Sequence, residues 1–185
     1  MSEPTDAELV KKVIEGDQVA YQTILDDQLP SVSRFVARML GNAAEAEDIT
    51  QEVFLRLWTH AAKFDPTASK LSTWLHNIAH NLCIDHFRKQ KRLVDKEPDP
   101  NIEGGDEPDA LLVARVDADN VREGMMKLPE RQRSAIIMCH YQGLSNKEAA
   151  GILEVSVDAL ESLLARGRKN LREILIEKTK DRARI

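Results

Sequence analysis

A chain of 185 residues with only 8 glycines, 7 prolines and 4% aromatic residues has room for one or two compact domains; it excludes a ring-lined catalytic cavity and a many-turned sheet. Leu, Ala, Glu, Lys and Arg dominate, which is the composition of helices, so an all-α fold in two small domains is expected. The net charge of -5 argues against nucleic-acid binding until its distribution is considered: four of the five residues from Arg88 to Arg92 are basic, and residues 160–185 carry eight basic side chains against four acidic ones.

The opening MSEPTDAEL has no basic-then-apolar leader, and no apolar run approaches the roughly 20 residues of a membrane span, so a soluble cytoplasmic protein with no membrane contact of its own is expected. Thr5-Asp6-Ala7-Glu8 has capping-box form ahead of a stripe of Leu9, Val10, Val13 and Ile14. A second helix is expected over residues 17–25. Pro30 is expected to interrupt it before Val32, Phe35, Val36 and Met39 make a new apolar face that stops at Gly41. Asn42 is a candidate cap for the next helix, whose inward residues are Ile49, Val53, Phe54, Leu57 and Trp58. Phe64-Asp65-Pro66 breaks the pattern. Helix resumes near Ser72 with Trp74, Leu75, Ile78, Ala79 and Leu82 inward and runs into the basic cluster.

Residues 95–109 hold seven acidic side chains, one lysine, three prolines and two glycines, which cannot build a core. The expected organisation is therefore a first domain at 1–93, an acidic linker at 94–110 and a second domain at 111–185. In the second domain a helix is expected over residues 112–126. Another begins at Leu128-Pro129-Glu130 with proline in its first turn, carries Ile136, Ile137 and Tyr141 on its apolar face, and ends at Gly143.

From Ser145 the chain reads SNKEAAGILEVSVDALESLLARGRKNLRE, a short helix, a tight turn and a longer basic helix. Small Ala150 suits a close crossing, Ile152, Leu153, Val155 and Leu160 fill the space between the helices, and Ser156 caps the second. This is the pattern of a helix-turn-helix. The first turns of its second helix meet base edges, which nominates Asp158, Ala159, Ser162 and Arg166; Arg168, Lys169 and Arg172 lie further along, placed for phosphates. A plain helical hairpin with a solvated basic tail has the same local pattern.

Taken together, AEAEDITQEVFLRLW, KFDPTASKLSTWLHNIAHNLCIDHFRKQKR and LPERQRSAIIMCHYQGLSNKEAAGILEVS closely resemble the extracytoplasmic-function (group 4) sigma factors, which keep the two conserved sigma domains. The resemblance implies a promoter-recognition factor that binds core RNA polymerase through the beta-prime clamp helices and the beta flap, binds promoter DNA and is held by an anti-sigma factor. It implies that Asp48, Gln51 and Glu52, spaced i, i+3, i+4 on one helix face, bind the clamp helices; a solvated face is the alternative. For the -10 element it implies Asn81 facing a captured base, Phe64 in the loop of residues 64–72 that forms the pocket, and Arg88, Lys89, Lys91 and Arg92 on phosphates. For the -35 element it implies Ser156, Asp158, Ala159, Ser162, Arg166, Arg168 and Lys169. The linker resembles the segment that threads the polymerase's nucleic-acid channel, a flexible tether being the plainer alternative.

The chain departs from the family pattern in two places. Glu154 stands in the turn where many members have glycine, which implies modest backbone strain or a different turn. Glu161 and Leu163 occupy recognition-helix positions where basic residues are frequent, so the preferred -35 sequence differs from the usual one. Two readings from other classes stay open. A stand-alone helix-turn-helix regulator would bind duplex DNA without polymerase. A metal or redox sensor would use His76, His80 and Cys83, spaced i, i+4, i+7, although a fourth ligand is not evident and lone His and Cys on helices are mostly structural. The paired cysteine frameworks, glycine-rich phosphate loops and nucleophile elbows that would signal disulfides or an enzyme do not occur, so no cofactor, metal or catalytic residue is expected.

Overall fold

The structure, a computed structural model, describes residues 4–94 and 114–182, and every regular element among them is helical. The first half is built from α1 (Asp6–Ile14), α2 (Gln18–Leu40), α3 (Ala43–His60), a single 3-10 turn (Ala61–Lys63) and α4 (Leu71–Val94). Each start is fixed by side chains satisfying orphan N–H groups. Thr5 and Glu8 form the expected reciprocal capping box, Asp17 accepts from the N–H groups of Val19 and Ala20, and Asn42 accepts from those of Ala44 and Glu45. Gly41 ends α2 at φ 71°, the left-handed conformation that glycine adopts without steric cost. Helices α2, α3 and α4 pack around Ile24, Phe35, Val36, Met39, Val53, Leu57, Leu71 and Leu75, and α1 lies across α2 and the 3-10 turn with Val10 and Val13 inward.

Pro30 does not divide this half. α2 runs through it from Gln18 to Leu40. The interruption expected from sequence rests on a lost hydrogen bond and a clash worth about 3 kcal/mol. Pro30 sits on the solvent face, as does Asp26 four residues earlier, so the freed carbonyl can be hydrated. Burial of Ile24, Val32 and Phe35 on the opposite face contributes roughly 1.5–3 kcal/mol each, which outweighs the proline.

The second half consists of α5 (Ala114–Met126), α6 (Glu130–Ile136), a π-helical turn (Ile137–Tyr141), α7 (Asn146–Leu153) and α8 (Val157–Arg182). The long α8 is its spine and packs against α5, α6 and α7. Pro129 is the N-cap of α6 and not a first-turn residue, and the expected single helix up to Gly143 changes to π geometry at Ile137; Tyr141 thereby faces outward while Ile136 and Ile137 are buried. The expected acidic linker and the expected helical residues 112 and 113 lie outside the described residues. The interior of the helix-turn-helix is as the sequence implies: Ala150, Ile152, Leu153 and Leu160 are buried and the Ser156 hydroxyl accepts from the Ala159 N–H at 3.1 Å.

Glu154 ends α7 at φ 53°, ψ 49°, and among the described residues no other non-glycine has positive φ. A Cβ in that region costs on the order of 1 kcal/mol. Glu154→Gly is therefore expected to raise stability by about 1 kcal/mol, read as a higher urea midpoint at unchanged slope. An unchanged midpoint would show that the turn carries no strain.

The two halves touch. Ser31 donates to Gln142 at 2.9 Å, the Arg38 guanidinium lies 4.5 Å from the centre of the Tyr141 ring, Ser134 packs on the Met39 sulfur, and Arg133 stacks 4.9 Å from the Phe87 ring centre. Met126 comes so close to Gly41 that a Cβ there would lie 2.9 Å from its sulfur.

Candidate nucleic-acid and protein interfaces

Helix α3 presents Asp48 and Gln51 to solvent, with Glu52 half-buried and paired to Arg56 at 3.0 Å, opposite the buried stripe of Ile49, Val53 and Leu57. The same exposed face continues to Leu55, 54% exposed, and Trp58, 38% exposed. Trp58 is thus not the inward residue its spacing suggests. Its ring packs edge-on against Tyr21 at 5.3 Å, and Tyr21 in turn donates to the Phe54 carbonyl. Between α2 and α3 this leaves an apolar groove of about 470 Å³ lined by Tyr21, Leu25, Leu29, Phe54, Leu55 and Trp58, with Gln51 and Thr50 at its edge. The sequence reading missed Leu29 and Leu55. The signal was present, because 48, 51, 55 and 58 share one helical face and Leu55 is an apolar residue out of phase with the core.

At the head of α4 the break after the 3-10 turn is tied by Asp65, whose carboxylate accepts from the Thr67 N–H at 2.8 Å and hydroxyl at 2.7 Å; the hydroxyl bond, followed by the backbone bond, holds its pKa below the usual range. Phe64 is half-buried with its ring 5.7 Å from Trp74, which is itself only half-buried and so not a plain core residue. Beside them lies a cleft of about 480 Å³ bordered by Ser69, Lys70, Thr73, Trp74 and Asn77 on one side and Lys147, Glu148 and Ile152 of α7 on the other. Asn81 is exposed one turn further along and donates to Asn77 at 3.0 Å. Asn81 and Phe64 therefore flank the cleft's wall without lining it.

The basic end of α4 is solvent-facing. Arg88 pairs with Asp85 at 3.5 Å and Lys91 with Glu130 of the second half at 3.0 Å, while Lys89 and Arg92 are exposed and make no ion pair among the described residues. On α8, Asp158, Ser162, Arg166, Arg168 and Lys169 are exposed, whereas Ala159 is half-buried. Ser156 is committed to its cap, Ser162 donates to the Asp158 carbonyl, and Arg166 Nε donates to the Ser162 carbonyl at 3.3 Å, which lays its guanidinium along the helix. Glu161 accepts from Asn146 of α7 at 3.4 Å.

His76, His80 and Cys83 face the junction between the halves and are all buried. His76 Nδ1 is 2.7 Å from the Ser72 carbonyl, which makes it the donor there. Neither nitrogen of His80 has a hydrogen-bond partner, and burial holds its pKa down at about 4; burial also pushes the Cys83 thiol up to about 12. A neutral, hard-to-ionise thiol is a poor ligand and a poor nucleophile. Among the described residues no three His, Cys, Asp or Glu side chains gather as metal ligands, and no helix is long and apolar enough to cross a membrane.

This arrangement is matched by known proteins. The family described as Sigma-70 region 2 matches residues 24–93, and that described as Sigma-70, region 4 matches residues 118–171. The chain is 34% identical over 179 residues to the ECF RNA polymerase sigma factor SigW of Bacillus subtilis, covering 90% of this chain and 94% of that one. It is 30% identical to the ECF RNA polymerase sigma factor SigE of Mycolicibacterium smegmatis over 98% of this chain and 73% of that one. Among solved structures, the sigma factor RpoE of Bartonella quintana in complex with the anti-sigma factor NepR superposes with a TM-score of 0.73 at 26% identity, over 84% of this chain and 96% of that chain.

Proposed function

This chain belongs to the sigma-70 family, in its extracytoplasmic-function branch, and from that premise we propose how its surfaces divide the work of directing core RNA polymerase to promoters. The first domain, residues 1–93, binds polymerase and opens the -10 element, the second, residues 111–185, reads the -35 element, and residues 94–110 tether the two. The protein itself makes and breaks no bonds; the polymerase does the chemistry. What supports the division is that the exposed polar and apolar residues of α3, the basic end of α4 and the exposed start of α8 lie on three different helices.

In this reading Asp48, Gln51 and Glu52 hydrogen-bond the clamp helices of the polymerase beside the groove between α2 and α3. Lys89 and Arg92, with Arg88 and Lys91 once released from their carboxylates, neutralise phosphates at the -10 element. Asn81 and Phe64 act at the cleft beside the loop, where an unstacked base is held. Asp158, Ser162 and Arg166 meet base edges at the -35 element, Arg168 and Lys169 meet phosphates, and Ser156 and half-buried Ala159 set the angle of the helix. An anti-sigma factor is the natural partner, since the similar RpoE was solved bound to one.

Run-off transcription with core RNA polymerase on a genomic fragment library, with and without this chain, tests the function. Discrete new start sites support it. Binding to bare duplex with no transcript would instead favour a stand-alone regulator, the reading that the helix-turn-helix alone leaves open. On a promoter identified this way, Asn81→Ala is expected to lower open-complex formation, read by permanganate footprinting, about tenfold while closed-complex affinity changes less than twofold, because a held base is worth roughly 1–3 kcal/mol. Equal loss in both steps would assign Asn81 to structure alone.

A further inference from the structure

Helix α8 turns Asp158, Glu161, Ser162 and Ala165 to solvent, spaced i, i+3, i+4 and i+7 on one face. Leu160 and Leu164 are buried where α8 packs on α6 and α7, so the exposed face is the one free to enter a major groove. An acid in the middle of that face needs a reason. Glu161 is the fifth residue of α8, past the first turn in which the helix dipole favours a carboxylate. Its neighbours three and four positions away are Val157, Asp158, Leu164 and Ala165, so no basic residue on the same helix balances it.

A neighbouring helix holds it instead. Asn146, the first residue of α7, donates from Nδ2 to Glu161 Oε1 at 3.4 Å across the helix-turn-helix. Asn146 is oriented in turn: its Oδ1 accepts from the Cys139 thiol at 3.8 Å, which leaves its amino group facing α8. One carboxylate oxygen is thereby tethered, while Oε2 has no partner among the described residues.

A carboxylate accepts hydrogen bonds and donates none. In the major groove guanine shows it two acceptors, N7 and O6, and thymine shows an acceptor and a methyl group. Adenine offers its N6 amino group beside the N7 acceptor, whereas cytosine offers its N4 amino group with no acceptor on the same edge. Arg166, Arg168 and Lys169, exposed one to two turns further along, supply the charge that holds an acidic residue near the phosphates.

We propose that Glu161 is a specificity-determining residue of the -35 element, selecting a C·G pair through the cytosine N4 amino group, and that Asn146 is its positioning residue. The inference rests on the assignment of α8 to the -35 element made above and names the base that one of its side chains reads.

The test uses the full chain assembled with core RNA polymerase and a promoter library in which every base pair of the -35 element is randomised; bound sequences are counted. The parent is expected to favour cytosine at one position by about tenfold. Glu161→Gln keeps the shape of the side chain, and should move the preference at that position alone to adenine, whose N6 and N7 glutamine bonds together. Glu161→Arg should move it to guanine. Asn146→Ala should lower the cytosine preference about threefold without creating another, because the carboxylate is then less well aimed. Overall affinity decides nothing, since removing a negative charge tightens binding to any duplex. If the parent enriches a -35 element and Glu161→Gln changes no single position, the proposal fails while the family function stands. It fails equally if the position that responds is not a cytosine in the parent. An unchanged preference in Asn146→Ala removes the positioning role. A parent holoenzyme that enriches no -35 element overturns the proposal together with the assignment of α8.

Discussion

Leu55→Ala combined with Trp58→Ala is expected to weaken binding to core RNA polymerase by about 100-fold while leaving the helical circular-dichroism spectrum intact. Both side chains are large, apolar and exposed on α3 beside a groove of about 470 Å³, and they flank the polar residues Asp48 and Gln51. Anchors of this kind at the centre of an interface typically cost 2 kcal/mol or more when truncated, and a tenfold loss corresponds to 1.4 kcal/mol. Asp48→Ala with Gln51→Ala removes rim hydrogen bonds and is expected to cost about tenfold. Trp58 also packs edge-on against Tyr21, so the fold must be checked separately. An affinity unchanged in both variants would move the polymerase interface away from α3.

Stability should fall as the solution is acidified from pH 6.5, and His80→Leu should remove much of that fall. Burial is the main force holding the His80 imidazole down at about 4, helped by the charge of Arg131. The native protein therefore binds fewer protons at this site than the unfolded chain, whose ordinary value is near 6.5. Stability is complete above that value and declines as pH drops toward 4, by roughly 1.4 kcal/mol per pH unit. His76, also lowered by burial, adds to the slope in the same direction. Glu148 acts in a different window: its carboxyl is held at about 2 chiefly by Ser145, so its contribution is complete above about 4.5 and is lost as pH falls from there toward 2. Urea midpoints between pH 6.5 and 4.5 thus isolate the histidines. At pH 7 the leucine variant should be as stable as the parent or more so, since an unpartnered buried imidazole is replaced by an apolar group. A parental pH slope that survives in His80→Leu would mean that the imidazole is neutral for another reason.

Most helix boundaries were legible because they depend on contacts within four residues. Thr5 with Glu8, Asn42, Gly41 and Ser156 each act on their own turn of backbone, and the stripes of α1, α3 and α4 needed only the 3.6-residue period, except at Ile14 and Trp58, which stand exposed. Pro30 failed as a breaker because its cost is local while its compensation, burial of Ile24 and Phe35 against α3 and α4, is not. The π geometry at Ile137–Tyr141 lies where the second half meets α2, through Arg38 on Tyr141 and Ser31 on Gln142. No periodicity within that helix could signal it.

By itself the sequence determined the all-helical class, the helix-turn-helix, the polar face at Asp48 and Gln51, the basic end of α4 and the strain at Glu154. Each of these follows from residue type and spacing along one element. Only the tertiary structure decided that Trp58 and Leu55 stand exposed together over a groove, that His80 is buried without a partner, and that Glu148 and Glu130 pair with Thr73, Lys70 and Lys91. These facts join residues on different helices, up to 78 positions apart, or helices from different halves of the chain. Exposure, desolvation and ion pairing of that kind are properties of what packs against a side chain, and that partner is chosen by the whole fold.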